Sequence, residues 1–302
     1  MNVLKKNWLF GAIALVFTSC SNDEIIHPNP QVKTPIRLSS SVSLLKSVSQ
    51  NVQIAAGQKV GFYLNITDEA EFSIINELLT ADGSGNFAHE SMYYPTEGAS
   101  FEFTAYHPHS EDGLKDGYVE FNIEADQSEK ADYLNSDLLY SNKKDVERTL
   151  NAVPLAFNHK LSKLTFTIKK GEGAEISDLS KIEILDILTF VKMDIADGTL
   201  TAASGASATI NAFGVENGAN GVEALSGSAA IIVPQTIEEN SKLLRITIGE
   251  KTYAYTTTEA QTFESGKVYD FEIEIGSFGV TVTSSIKNWD TGDSTTGDGI
   301  LE

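Results

Sequence analysis

Apolar and polar residues alternate with period two along most of this chain, and that alternation limits its fold more than any other feature. Phe101, Phe103 and Ala105 alternate with Glu102 and Thr104, and Val119, Phe121 and Ile123 with Glu120 and Asn122. Leu164, Phe166 and Ile168 alternate with Thr165 and Thr167, and Phe271, Ile273 and Ile275 with Asp270, Glu272 and Glu274. Successive side chains of a strand point to opposite faces, so each run puts one face in a core and the other in water. Further strand candidates are 60–66, 182–188, 230–233, 243–248, 253–257 and 280–283. Asp82-Gly83-Ser84-Gly85, Asp112-Gly113, Asp116-Gly117, Lys170-Gly171-Glu172-Gly173 and Asp197-Gly198 supply turns between them. Helical periodicity is scarce, with one short helical turn expected within 132–140. The expected class is all-β, built as β-sandwiches.

The first residues read as an export signal. Lys5 and Lys6 precede a ten-residue apolar run from Trp8 to Phe17, and Thr18-Ser19 leads to Cys20, the single cysteine of the chain. That order predicts a lipoprotein signal peptide over 1–19, with cleavage before Cys20 and acylation (palmitate among the chains) of its thiol and amine. The run is too short to span a bilayer, which takes about twenty residues. Several acyl chains, at about 0.8 kcal/mol per buried methylene, give a lasting anchor. The acidic pair Asp23-Glu24 resembles the signal that places some lipoproteins at the outer membrane, facing out. Residues 20–34, polar and carrying Pro28 and Pro30, read as a flexible tether.

Loss of the leader takes the formal charge from −20 to −22, because Lys5 and Lys6 leave with it. A surface this acidic repels nucleic-acid phosphates and anionic lipid. With no disulfide available, the core rests on apolar burial alone. The length suits two domains. The charged stretch Lys143 to Asn151 followed by Pro154 places their junction, giving an N-terminal domain at 35–152, a C-terminal domain at 153–289 and a polar tail at 290–302. The Gly-, Ala- and Ser-rich stretch 198–227 reads as a long hairpin arm or a loop over a sheet edge.

Catalytic patterns do not emerge, and no enzyme activity, cofactor or metal is expected. Neither a G-x-S-x-G elbow nor a phosphate-binding glycine loop occurs. His89-Glu90 has no second histidine at metalloprotease spacing. His107 and His109, flanking Pro108, are expected as surface residues of a strand-end turn, and His159 as a hydrogen-bonded residue at a sheet or domain boundary. Asp290, Asp293 and Asp298 depart from calcium-loop spacing. Tyr93-Tyr94 and Tyr253-Ala254-Tyr255 suit sugar stacking or sheet packing. Asp293-Ser294-Thr295 resembles an O-glycosylation acceptor, which would place a glycan on Ser294.

Several runs, taken in order, resemble the fimbrillins, subunits of type V pili. These are Tyr93-Tyr94-Pro95 with Phe101 to Pro108, Asp137-Leu138-Leu139-Tyr140, and Val153 to Phe166 as V-x-L-x-F-x-H-x-L-S-K-L-x-F. Ile232-Val233-Pro234-Gln235, Gly266-Lys267-Val268-Tyr269 and Ile286-Lys287-Asn288-Trp289 complete the set. The resemblance implies two transthyretin-like β-sandwich domains in tandem and a structural or adhesive role as shaft, tip or anchor. It also implies removal of the first strand by cleavage after a basic residue, and replacement of that strand by one from a neighbouring subunit. Ile36, Leu38, Val42 and Leu44 mark that first strand here, Lys46 and Arg37 are the candidate processing sites, and 278–286 is either a donor or the last strand of the second domain. Expected partners are other subunits, the outer membrane through the lipid, and a surface ligand, with no nucleic acid. The alternative reading is a surface lipoprotein that binds carbohydrate or host protein without polymerising. A third, a glycan-active enzyme on β-sandwiches, needs two carboxylates at catalytic separation.

Overall fold

The computed structural model describes residues 33–42, 54–69, 71–277 and 279–289. Within them nearly all of the regular structure is strand, as the alternation requires. The first unit contains β1 (Leu38–Val42), β2 (Lys59–Ile66), β3 (Phe72–Ala81), β4 (Phe87–Ala88) and β5 (Phe101–His107). Then come β6 (Tyr118–Asn122), the short helix α1 (Lys130–Asn135), β7 (Leu139–Val146) and β8 (Val153–His159). Seven of these strands form one sheet in the order β1-β8-β7-β5-β2-β3-β4. It curls until its two ends meet, with Ser39 bridging Asn86 and the Ser40 N–H donating to the Gly85 carbonyl at 2.8 Å. Phe62, Leu64, Phe101, Phe103, Leu155 and Phe157 fill the interior, and the Phe62 and Phe103 rings meet edge to face at 5.3 Å.

The second unit is a two-sheet sandwich. β9 (Ser162–Lys170), β10 (Leu179–Asp194), β11 (Ser204–Asn211) and β12 (Ala224–Ile232) are followed by the short β13 (Gln235–Ile237). β14 (Lys242–Ile248), β15 (Lys251–Thr256), the short β16 (Gln261–Phe263), β17 (Lys267–Gly276) and β18 (Gly279–Asn288) complete it. One sheet runs β11-β10-β14-β15, the other β12-β9-β17-β18, and β13 pairs with β16. Leu164, Phe166 and Ile168 face the same core as Ile182, Ile184, Leu244, Ile246, Phe271 and Ile273.

Several expectations are corrected by the strand partners. β8 starts where the second domain was expected to begin, but it pairs with β1 and β7, so the sheets change hands between His159 and Ser162. The charged stretch from Lys143 is no linker, because Lys143 to Val146 are in β7. Lys33 and Thr34 were expected in the tether, yet Thr34 is buried and its carbonyl accepts the Tyr94 N–H at 3.0 Å. The helical turn lies at Lys130–Asn135, and Leu139 already starts a strand. The stretch 198–227 is neither a hairpin arm nor a covering loop: it supplies the edge strands β11 and β12 of opposite sheets.

β6 comes from the first half of the sequence but pairs antiparallel with the second half of β10, from Phe190↔Asn122 to Asp194↔Tyr118. Just beyond it, fully buried Gln127 donates from Nε2 to the Ile231 carbonyl at 2.7 Å and accepts the Ile231 N–H on Oε1 at 2.8 Å. One amide side chain thus satisfies both main-chain groups of a residue in the other sheet. On the face of β10 and β14, buried Glu183 receives a bidentate Arg245 at 2.6 Å and Lys181 at 2.8 Å. Chiefly through the Arg245 hydrogen bonds, its carboxyl is held down to about 2, so this acid is structural. Gln127→Leu leaves the Ile231 N–H and carbonyl unpaired in the interior. It is expected to lower unfolding free energy by about 2–4 kcal/mol, read from urea denaturation.

Candidate functional site

The site that the fold sets apart is the seat of β1. Its residues alternate inward as Thr34, Ile36, Leu38 and Ser40, all buried, with Arg37 exposed between them. The apolar pair Ile36 and Leu38 agrees with expectation, whereas Ser40 takes the inward position between Leu38 and the end of the strand. Leu44 lies outside the described residues, as do Cys20, Lys46, Ser294 and the acids of the tail.

Both rims of β1 are paired. On one side it runs parallel to β8, from Leu38↔Val153 to Val42↔Phe157, and the Val153 N–H donates to the Arg37 carbonyl at 2.8 Å. On the other side the run 85–94 lies antiparallel: the Ile36 N–H donates to the Met92 carbonyl at 3.0 Å, and Pro35 bridges Tyr93. Ile36 and Leu38 belong to the same core cluster as Phe87, Met92, Leu155 and Phe157. Without β1, two rows of backbone groups and an apolar slot would be bare, and both are costly in water. The Ser40 hydroxyl is buried with no hydrogen-bond partner, so this strand carries a built-in weakness.

Arg37 sits inside this ladder, between two buried neighbours. Farther along, Arg148 donates to the carbonyls of Pro95, Thr96 and Glu97 at 2.8, 2.9 and 2.8 Å and lies over the Phe101 ring. It thereby ties the β7–β8 connection to the residues that follow the run flanking β1.

The histidines fall out differently from expectation. His107 is buried rather than on the surface, with Nδ1 2.8 Å from the Lys59 carbonyl. His109 contributes its backbone N–H to that same carbonyl at 3.0 Å. Among the described residues no group of histidine, cysteine and acidic side chains is placed to hold a metal. His159 is hydrogen-bonded to Asp137 at 2.8 Å and stacked on Trp289 at 4.0 Å, as expected of a residue at a boundary. Tyr94 is core, packed on Phe101 and Phe103, while Tyr93 is 42% exposed. Tyr253 and Tyr255 are half-buried on the edge strand β15. Gln127 carried no sequence signal, being one polar residue in a polar run.

A closed seven-stranded sheet joined to a two-sheet sandwich, with the first described strand held on both rims, defines an all-β protein whose distinctive feature is a strand seat. The chain belongs to the fimbrillin-like family, whose model matches residues 48–289. It is 22% identical to a candidate fimbrium subunit, Fim1C, of Bacteroides uniformis, over 96% of this chain and 97% of that protein. In fold it is similar to a candidate cell adhesion protein of Bacteroides ovatus, with TM-score 0.68 and 19% identity over 86% of this chain and 99% of that one. A second such protein, from Bacteroides uniformis, gives TM-score 0.62 and 20% identity over 84% of this chain and 99% of that one.

Two outcomes are expected. Ser40→Ala removes the orphaned hydroxyl and should raise stability by about 1 kcal/mol, whereas Leu38→Ala should lower it by about 2–5 kcal/mol, both read by chemical denaturation. Burial pushes the His107 imidazole below its ordinary value, against the opposing pull of the Lys59 carbonyl and Asp137. The unfolded chain therefore binds that proton first on acidification. The His107 contribution is complete above about pH 6.5 and is lost as pH falls, so His107→Gln should flatten the fall in melting temperature between about pH 7 and 5.

Proposed function

We propose that this chain is a structural subunit of a surface fimbrium, held to its neighbours by strand exchange at the seat of β1. The observation that carries this reading is the double-sided pairing of β1, whose removal would leave an eager acceptor for another strand. In this reading Cys20 is acylated after export and tethers the precursor to the outer membrane, and the fibre is a type V pilus. A protease draws an extended stretch of several residues into its cleft. Arg37 is shielded from it by the ladder while β1 is seated, but Lys46 lies four residues beyond the end of β1. Lys46 is therefore the processing residue of choice. Cleavage there leaves β1 bound by non-covalent contacts alone, free to be displaced by a strand with apolar residues at two alternate positions. A copy that escapes cleavage keeps its lipid and serves as the anchor.

The experiment is limited digestion of the acylated chain with a trypsin-like protease, followed by mass spectrometry and unboiled SDS gels. Expected are a new N-terminus at Ser47 and ladders that resist SDS. Cleavage that yields only monomers would overturn the polymer and favour a free-standing ligand-binding lipoprotein.

A further inference from the structure

The edges of these sheets are treated unequally. β3 is interrupted by register shifts against β2 and by Asn76 at φ 48°, and β11 by two register shifts and Gly205 at φ 88°. β12 has a register shift beside Gly227 at φ 100°. Such irregularities twist an edge away from foreign strands. β18 has none of them. It pairs with β17 through ten consecutive residue pairs without a shift, and among the described residues its other rim has no strand partner. It contains no proline and no acid, in a chain of 42 acidic residues. Pairing two copies along it therefore brings none of the strand's own side chains into carboxylate–carboxylate contact.

The side chains of β18 are also self-complementary. Its core-side row is Val280, Val282, Ser284 and Ile286, opposite Ile275, Ile273, Phe271 and Tyr269 of β17. Ile286 belongs to that row yet is 62% exposed. Antiparallel pairing of two copies about Thr283 sets Ile286 of each against Val280 of the other. It sets Val282 against Ser284 in the same row, and Thr281 against Ser285 on the solvent face. The Ile286–Val280 pairs are apolar and the Thr281–Ser285 pairs join hydroxyls, both favourable cross-strand neighbours, while Val282–Ser284 is a mixed pair.

We propose that β18 is the contact through which two copies of this chain join, antiparallel, with Thr283 on the two-fold axis and the four-stranded sheets continuous across both molecules. The contact is isologous and closes as a pair, so it is separate from any head-to-tail fibre and does not depend on cleavage at the N-terminal end. The test uses the chain from Ser21 onward, which contains no cysteine. Sedimentation equilibrium should show a monomer–dimer equilibrium, and Thr283→Glu, which sets two carboxylates face to face at an exposed position, should raise the dissociation constant about tenfold or more. Thr283→Cys should form a disulfide-linked dimer on mild oxidation. Thr281→Cys should not, because its copies lie about four residues apart along the ladder, beyond disulfide reach. A chain that stays monomeric at hundreds of micromolar would overturn the proposal. So would a dimer indifferent to Thr283→Glu in a variant that keeps its melting temperature.

Discussion

The first unit depends on main-chain hydrogen bonds made by a strand that precedes everything else in the sheet. β1 finds one partner in Val153 to Phe157 and the other in the run 85–94, both far along the chain. The seven-stranded sheet closes because this strand, at one end of it, meets the run beside β4 at the other end. Among its described side chains the aliphatic Ile36 and Leu38 are buried, and the next inward position is a serine whose hydroxyl is unpaired. A strand held mainly through its backbone is specified by shape and alternation more than by identity. Its affinity for the seat is therefore transferable to another strand of similar pattern.

The rest of the molecule makes that seat rigid. β6 joins the first half of the chain to the long strand β10, and Gln127 reaches across to the other sheet at Ile231. The Tyr140 hydroxyl donates to the Ile195 carbonyl at 3.0 Å, and Gly198 allows the close approach, since a Cβ there would stand 2.5 Å from the Tyr140 ring. His159, at the end of β8, is fixed by Asp137 and by Trp289 at the end of the last strand. β8 therefore offers β1 a wall anchored at its far end in the second unit. A strand can be added to or taken from such a wall without the wall collapsing.

How much of this was legible in the sequence follows from which interactions are local. Alternation at 101–105, 164–168 and 271–275 reports burial of one strand face, and each of these runs is a strand in the structure. Alternation says nothing about partners. Val153 to His159 and Ser162 to Lys170 read as neighbours of one kind, yet they serve different sheets, because the first is claimed by a strand more than 100 residues earlier. β3 was invisible for another reason. Asn76 is locked in the left-handed region by hydrogen bonds with Tyr106 and the Ser110 carbonyl, and the resulting bulge breaks the period, leaving Ile75 exposed beside half-buried Ile74. The first strand was legible through Ile36 and Leu38. Its pairing on both rims was not, since one rim is the irregular run 85–94. Likewise, a histidine next to a proline reads as a surface turn, and only the fold reveals that His107 is enclosed.

β1 and β18, the first and last of the described strands, meet the same physical problem from opposite sides. An unpaired rim attracts strands without regard to whose they are, and a chain with a formal charge of −20 has one general defence, mutual repulsion. That defence fails wherever a rim carries no acid. Over Leu38–Val42 the chain has none, and the rims are covered from within on both sides. Over Gly279–Asn288 it again has none, and among the described residues only one rim has a strand partner. Selection against unwanted pairing would favour a bulge or a carboxylate in such a strand, and β3, β11 and β12 each carry a register shift. A ten-residue run kept regular, with no acid and no proline, at an edge of the described sheet is the composition of a strand that meets a partner.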